Sequence, residues 1–372
     1  MSGSMYGKYF GVSTWGESHG EGIGAVVDGC PAGLPLSEEV IQKYLDRRRP
    51  GQTRYSTPRK EADRVEILSG VFEGKTTGTP ISMVVHNTSQ RSGDYSEIAQ
   101  YYRPGHADYT FDRKYGFRDY RGGGRSSGRE TIGRVAAGAI ACEVLRELGV
   151  EVFAYAEEIG GIACEPDRMR RENIQKSPLF MPDLEASEQA EILLEQKMRE
   201  KDSAGGIIEC IVKGVPAGVG EPVFDKLDAR IAGAVMSIGA VKGVEIGDGF
   251  AVAGSFGSEN NDAFYMGADG SVQKRTNHAG GILGGISDGS DIRVRAAVKP
   301  TPSIAGSQQT VNKNGEDIEV RIRGRHDPVI VPRAVVVVES MVALAVLDMM
   351  FASVSSEMGR IKTFFGSVDG RR

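Results

Sequence analysis

Several residues of this chain carry side chains able to do chemistry on a small anionic molecule, and each sits in a stretch rich in glycine or proline. His19 lies in TWGESHG (14–20), and His106 follows Pro104-Gly105 in RPGHADYT (103–110). An imidazole changes charge near neutral pH, so a histidine presented by a tight turn can give or take a proton. For His19 that reading and a plain surface turn stand level; for His106 the nearby Asp108 favours acid/base work. Arginines at 121, 125, 129 and 134 alternate with glycines and serines in RGGGRSSGRETIGR, at the start of a helical pattern. Glycine lets a ligand approach the backbone, guanidinium forks match phosphate and carboxylate, and a helix N-terminus adds free N–H groups. This stretch is read as an anion site. A second cationic run, RRRPGQTRYSTPRKEADR (47–64), contains Arg48 and Arg54 and divides almost evenly between an anion site and a solvated loop. In KPTPS (299–303), Lys299, Thr301 and Ser303 offer contacts to another phosphate. Asp348 stands deep in an apolar run. A carboxylate there must be paired, or desolvation raises its pKa. It is either a functional acid or a hydrogen-bonded structural group.

These residues need elements to hold them. Residues 6–28 read as two short strands around the His19 turn. Ser37 to Arg48 reads as a capped helix stopped by Pro50-Gly51, and strands follow at 65–69 and 80–86. Residues 94–120 show little periodicity and read as a long functional loop. Ser127 and Glu130 have the spacing of a capping box, and Ile132, Val135, Ala136, Ile140, Val144 and Leu148 recur at helical intervals behind them. The second half offers strands at 150–165, 207–214, 241–249, 291–298 and 317–328, helices at 184–201 and 226–240, and a polar loop at 305–316. Pro332 fits the first turn of a long apolar helix running to about Ser355. Strands followed by a buried helix occur in both halves, so the expected class is α+β. We expect one unit over 1–372, with two parts, about 1–150 and 205–360, arranged like a distant duplication.

The bulk numbers exclude several classes. The chain has 372 residues, 50 of them glycine, and a net charge of −5. Glycine is well above average usage but scattered through short motifs, which points to many turns. A globally acidic chain with local basic pockets suits a small anionic ligand better than nucleic acid. Cys30, Cys142, Cys164 and Cys210 show no metal-ligand spacing and read as free thiols of a reducing cytosol, with no metal site. The N-terminus lacks a basic-then-apolar signal pattern, and the apolar run near 334–353 is broken by Glu339, Ser340 and Asp348. A cytoplasmic protein with no membrane span is the expectation. No strand–GxGxxG–helix unit is present to bind a dinucleotide. Two rivals from other classes are a flavin oxidoreductase with net hydride transfer and a nucleic-acid binder using the arginine loops.

Six motifs in register narrow this further. GESHG (16–20), DRRRPG (46–51), RPGHADYT (103–110), RDYRGGGRSSGRET (118–131), NHAGGILGGIS (277–287) and GRHDP (324–328) together resemble the chorismate synthase family, from about residue 7 to about 355. The resemblance implies a carbon–oxygen lyase that eliminates phosphate from 5-enolpyruvylshikimate 3-phosphate to give chorismate, with reduced FMN required but no net redox change. It implies an α+β sandwich with a helical core between two antiparallel sheets, assembled as a homotetramer. By position, His19 resembles the family's histidine that protonates the departing phosphate, His106 the one near the flavin N1/O2 edge, and Asp348 a helix aspartate that relays a proton. Arg125, Ser126, Ser127, Gly239, Ala240, Gly284, Lys299, Pro300, Thr301, Pro302, Ser303 and Arg325 fall where the family holds FMN. Arg48 and Arg54 fall where it has an NADP contact, though they equally suit substrate anions, as do Arg134 and Arg333. Gly239 stands where an asparagine is common, leaving only backbone contact there. RSSGR replaces the commoner RSSAR. The long insertions of self-reducing fungal members are absent, which implies that NADPH acts only indirectly, through a separate flavin reductase.

Overall fold

Strands with alternating burial and helices with broad apolar faces make a four-layer sandwich. The computed structural model describes residues 3–56, 61–87, 97–322 and 327–369. Five antiparallel strands form the first sheet, in the order Met5–Tyr6, Gly11–Gly16, Gly22–Asp28, Ile81–His86 and Val65–Ile67. The second sheet is also antiparallel, in the order Val241–Ile246, Ile292–Val298, Gly206–Lys213, Glu151–Ile159 and Ile162–Ala163. Its strand Ile292–Val298 shows why it lies flat on a core. Ile292, Val294, Ala296 and Val298 point inward and are buried. Arg293 and Arg295 point outward, where they pair with Glu209, Glu157 and Glu245 of the same sheet. That is the period of two expected of a half-buried strand.

Helices fill the space between the sheets. Thr131–Glu147 lies on the first sheet and Val331–Ala352 on the second, and the two pack on each other. Their approach runs through Gly138, where a Cβ would stand 2.2 Å from the Cβ of Ser340. Only glycine permits that contact. Helices Glu38–Arg48 and Leu227–Met236 flank the pair. The helix from 331 is long and apolar enough to cross a membrane by composition, but 83% of its most apolar window is buried inside the protein. It is the core of the sandwich, as its interrupted apolar run predicts.

The structure departs from the sequence reading at three places. The stretch 94–120 is not all loop: Asp108–Tyr115 is a helix, closed by Gly116 in the left-handed region. The polar stretch 305–316 contains the strand Ser307–Val311, which pairs with Asp317–Arg321. Ser127 and Glu130 do not form a capping box. The Ser127 hydroxyl accepts from the Arg129 N–H at 3.3 Å and caps a 3-10 turn, while the Glu130 carboxylate is drawn away by Arg134 Nε at 2.9 Å. All four cysteines are free and buried.

Candidate active site

The arginine loop and the His19 turn form one surface. Gly122, Gly123 and Gly124 all adopt positive φ, which bends the loop sharply. A Cβ on Gly122 would lie 2.5 Å from His19 Cδ2 and 2.7 Å from Ser18 Oγ, so the loop backbone rests against the imidazole. Ser18 Oγ donates to the Gly122 carbonyl at 3.3 Å. Arg125 ties the same loop to the strand before the turn, donating to the Gly16 and Thr14 carbonyls at 3.1 and 3.2 Å and to Thr14 Oγ1 at 2.7 Å. Ser126 donates to the Gly123 carbonyl at 2.7 Å.

Behind this surface the cationic run 47–64 is neither a solvated loop nor an open anion site at Arg48. Its side chain is 2% exposed. Arg48 donates to Thr131 Oγ1 at 3.0 Å, to Asp63 Oδ2 at 2.7 Å and to the Gly128 carbonyl at 2.8 Å. Burial lowers its pKa to about 10, a shift that Asp63 partly offsets. Arg129 donates to the other Asp63 oxygen at 3.1 Å and also pairs with Glu61. Arg333 donates to the Arg48 carbonyl at 3.1 Å and to Asp327 Oδ2 at 2.8 Å. Arg134 donates to Glu130 and, at 2.6 Å, to Ser237 Oγ. Two residues beyond Ser237 lie Gly239 and Ala240, and the Ala240 carbonyl accepts from the Lys299 N–H at 2.9 Å.

The second histidine closes the circuit. Lys299 Nζ donates to the Gly105 carbonyl at 2.8 Å, and His106 Nε2 lies 2.8 Å from Ser303 Oγ. His106 Nδ1 lies 2.9 Å from the Pro104 carbonyl, which can only accept. Nδ1 therefore carries the hydrogen, and Nε2 accepts from the Ser303 hydroxyl. Burial, helped by the Arg103 guanidinium, lowers the His106 pKa to about 4, so the ring is neutral near pH 7. Arg103 is itself held by Asp108 through contacts of 2.8 Å from Nε and Nη2. Burial would raise the Asp108 carboxyl, but the Arg103 hydrogen bonds outweigh it and hold it below the usual range. The 299–303 segment also meets the strand that begins after Ala204: Ser203 Oγ donates to the Thr301 carbonyl at 2.8 Å, and the Ala204 N–H donates to Pro328 beside Asp327.

Hydrogen bonds and short chain segments connect the stretches that carry His19, His106, Arg125, Ser126, Ser127, Arg134, Arg333, Gly239, Ala240 and Lys299 to Ser303. Three candidates make their contacts outside these connections, and Arg325 falls outside the described residues. Arg54 is 66% exposed and pairs with Glu191 and Glu195 of the helix Leu184–Glu200, the latter at 2.8 Å. Gly284 turns the hairpin Ile282–Leu283/Ile286–Ser287, which is stitched to Gly220. Asp348 faces the chain's first residues. Its Oδ1 accepts from the backbone N–H of Lys8, Tyr9 and Phe10 at 2.8, 2.7 and 3.0 Å, and its Oδ2 from Arg230 at 3.2 Å. These contacts pair the buried carboxylate, and Asp348 also lines a cavity with Lys8, Tyr9 and Arg230. Asp63 and Asn87 were missed, because their partners lie far away in sequence and no local pattern marks them.

A two-sheet sandwich that gathers arginines, lysine and two histidines from distant loops into one web defines an enzyme of small, multiply anionic substrates. The family description "Chorismate synthase" matches residues 10–351, and the chain belongs to that family. It is 67% identical over 365 residues to the chorismate synthase of Lachnoclostridium phytofermentans, covering 98% of this chain and 100% of that one. It is 57% identical over 356 residues to that of Methanosarcina acetivorans, covering 95% and 97%. A crystal structure of chorismate synthase superposes with a TM-score of 0.76 at 32% identity, over 98% of both chains.

Proposed function

We propose that this enzyme eliminates phosphate from 5-enolpyruvylshikimate 3-phosphate to give chorismate, with reduced FMN as its cofactor. As a chorismate synthase it is a lyase of the shikimate pathway, which leads to the aromatic amino acids. The observation that carries the cofactor and site reading is the set of hydrogen bonds and short chain segments that connects both histidine turns to the arginine loop, Ala240 and Lys299.

The residues fit a flavin phosphate and ring. Thr301 Oγ1 is buried with no hydrogen-bond partner among the described residues, an orphan that a ligand oxygen would satisfy. Beyond the Cα of Gly239 the space is open. Lys299, Ser126, Ser303 and the Gly239-Ala240 backbone would hold the cofactor, and Gly284 and Arg325 are proposed with them on the resemblance alone. The chemistry that bound reduced FMN would supply is transient electron donation with no net redox change. The chain's own groups do the rest. The substrate loses its carbon–oxygen bond to phosphate and one ring proton; His19 gives a proton to the departing phosphate and recovers one from solvent, which takes up the ring proton, so the elimination is proton-neutral overall. His106, kept neutral and fixed at both nitrogens, adds no positive charge and presents one defined tautomer. Arg134 and Arg333 shape the positive field around the substrate's phosphate and carboxylates. Arg48 is buried with each of its three guanidinium nitrogens bonded within the protein, so it braces the loop and is unsuited to hold NADP. Arg54, committed to two carboxylates, is equally unsuited. NADPH would then enter only through a separate flavin reductase, and we propose a cytoplasmic homotetramer.

The test is anaerobic. The enzyme, chemically reduced FMN and 5-enolpyruvylshikimate 3-phosphate are mixed, and chorismate and free phosphate are followed together. Equal release with the flavin still reduced is expected. Flavin oxidised in proportion to product would replace this reading with net hydride transfer.

A further inference from the structure

We propose that Asn87 is a positioning residue for the reaction, fixing the turn that carries His19; this rests on His19 being the proton donor. Asn87 follows the last residue of the strand Ile81–His86, where His86 pairs with Gly22. Its carboxamide nitrogen donates to the Glu17 carbonyl at 3.0 Å and to the Gly20 carbonyl at 2.8 Å. Those two carbonyls bracket Ser18 and His19. Its backbone N–H donates to the Glu21 carbonyl at 3.0 Å. One residue therefore grips the turn at three points.

The turn needs such a grip. It is bounded by Gly16, Gly20 and Gly22, and its own closing hydrogen bond, Gly20 N–H to the Glu17 carbonyl, is long at 3.2 Å. Glycine-flanked backbone is intrinsically loose, and the histidine must be held for proton transfer. Asn87 is in turn anchored from behind. Its Oδ1 accepts from Arg129 Nε at 3.0 Å, and Arg129 is fixed by Asp63, the same carboxylate that holds Arg48. Asp63 is buried and sits at φ 44°, in the left-handed region that aspartate tolerates better than most residues. The imidazole is thus oriented from both sides. Gly122 sets its position from the loop, and the chain Asp63–Arg129–Asn87 sets the turn.

Asn87→Asp tests this, because it keeps the oxygen facing Arg129 and loses both donors to the turn. Expected are a folded protein with a modestly lowered melting temperature, a kcat lower by about ten- to a hundredfold with KM little altered, and a shifted side-chain titration of His19 by NMR. Asn87→Ser, which retains a single donor, should fall between, and it is read in the same way if the aspartate variant does not fold. In a His19→Ala background the Asn87 substitution should cost almost nothing further, since both act through one group. Wild-type kcat with an unmoved His19 titration would overturn the proposal, as would an equal loss in the His19→Ala background. If His19→Ala turns over at the wild-type rate, the donor role of His19 fails. The titration then decides separately whether Asn87 orients that ring: a shift supports it and an unmoved titration overturns it.

Discussion

The two ends of the helix Val331–Ala352 both bury charge but answer it differently. At the start, Arg333 bridges Asp327 and the Arg48 carbonyl, and Arg48 passes the connection to Asp63 and the arginine loop. Toward the other end, about 22 Å further along the helix axis at 1.5 Å per residue, Asp348 is met by three consecutive backbone N–H groups and Arg230. The first arrangement links side chains from several loops, including those that bear the histidines. The second saturates one carboxylate with one stretch of main chain. Burial says that a charge must be met; it does not say by what. A group whose partners all come from the scaffold holds the scaffold, whereas a web that runs from loop to loop holds a site.

The comparison is most sharply tested at Arg48. Arg48→Ala leaves Asp63 buried with only Arg129 to pair it, and should cost about 3–5 kcal/mol in denaturant unfolding along with most of the activity. Full activity in a stable variant would detach the brace from the site. At the other end, Asp348→Asn keeps an acceptor for the amides but weakens their hold, with an expected loss of about 1–3 kcal/mol and an unchanged kcat in the folded enzyme. A stable Asp348→Asn variant with a slowed flavin-dependent step would put proton chemistry at both ends and erase the contrast. The smallest effect near neutral pH concerns His106. Its pKa in the folded protein is about 4 against an ordinary 6.5, so between those values the unfolded chain binds more protons at this site. Stability from this group is therefore lost as pH falls through that window and is unaffected above it. His106→Asn should flatten the acid limb of melting temperature against pH between about 6.5 and 4. Identical limbs would mean that the imidazole is not held neutral.

Much of this was legible in the sequence, for reasons that lie in the residues. Ile132, Val135 and Ile140 mark a helix, and the alternation of Ile292, Val294 and Ala296 marks a strand, because each pattern reports one buried face. The histidine and arginine motifs were legible because glycine and proline punctuate them. Three things were not. Asp108–Tyr115 is short and polar, so its helical period is hidden. Ser307–Val311 has little apolar alternation, and its strand depends on pairing with Asp317–Arg321. The roles of Asp63, Asn87 and Asp348 depend on partners that only the fold supplies: Arg129 lies 66 positions from Asp63, and Phe10 lies 338 positions from Asp348. A buried aspartate looks the same in sequence whether it waits for a substrate or clasps a backbone.

That last clasp bears on how the protein is made. Lys8, Tyr9 and Phe10 leave the ribosome 340, 339 and 338 residues ahead of Asp348. Until then the opening strand has no latch, although its own sheet has long been synthesised. Chains shortened before residue 348 would have to carry three main-chain donors and the Arg230 cation without their common acceptor. The penalty would fall on the birth and survival of the molecule, through quality control of nascent and truncated chains.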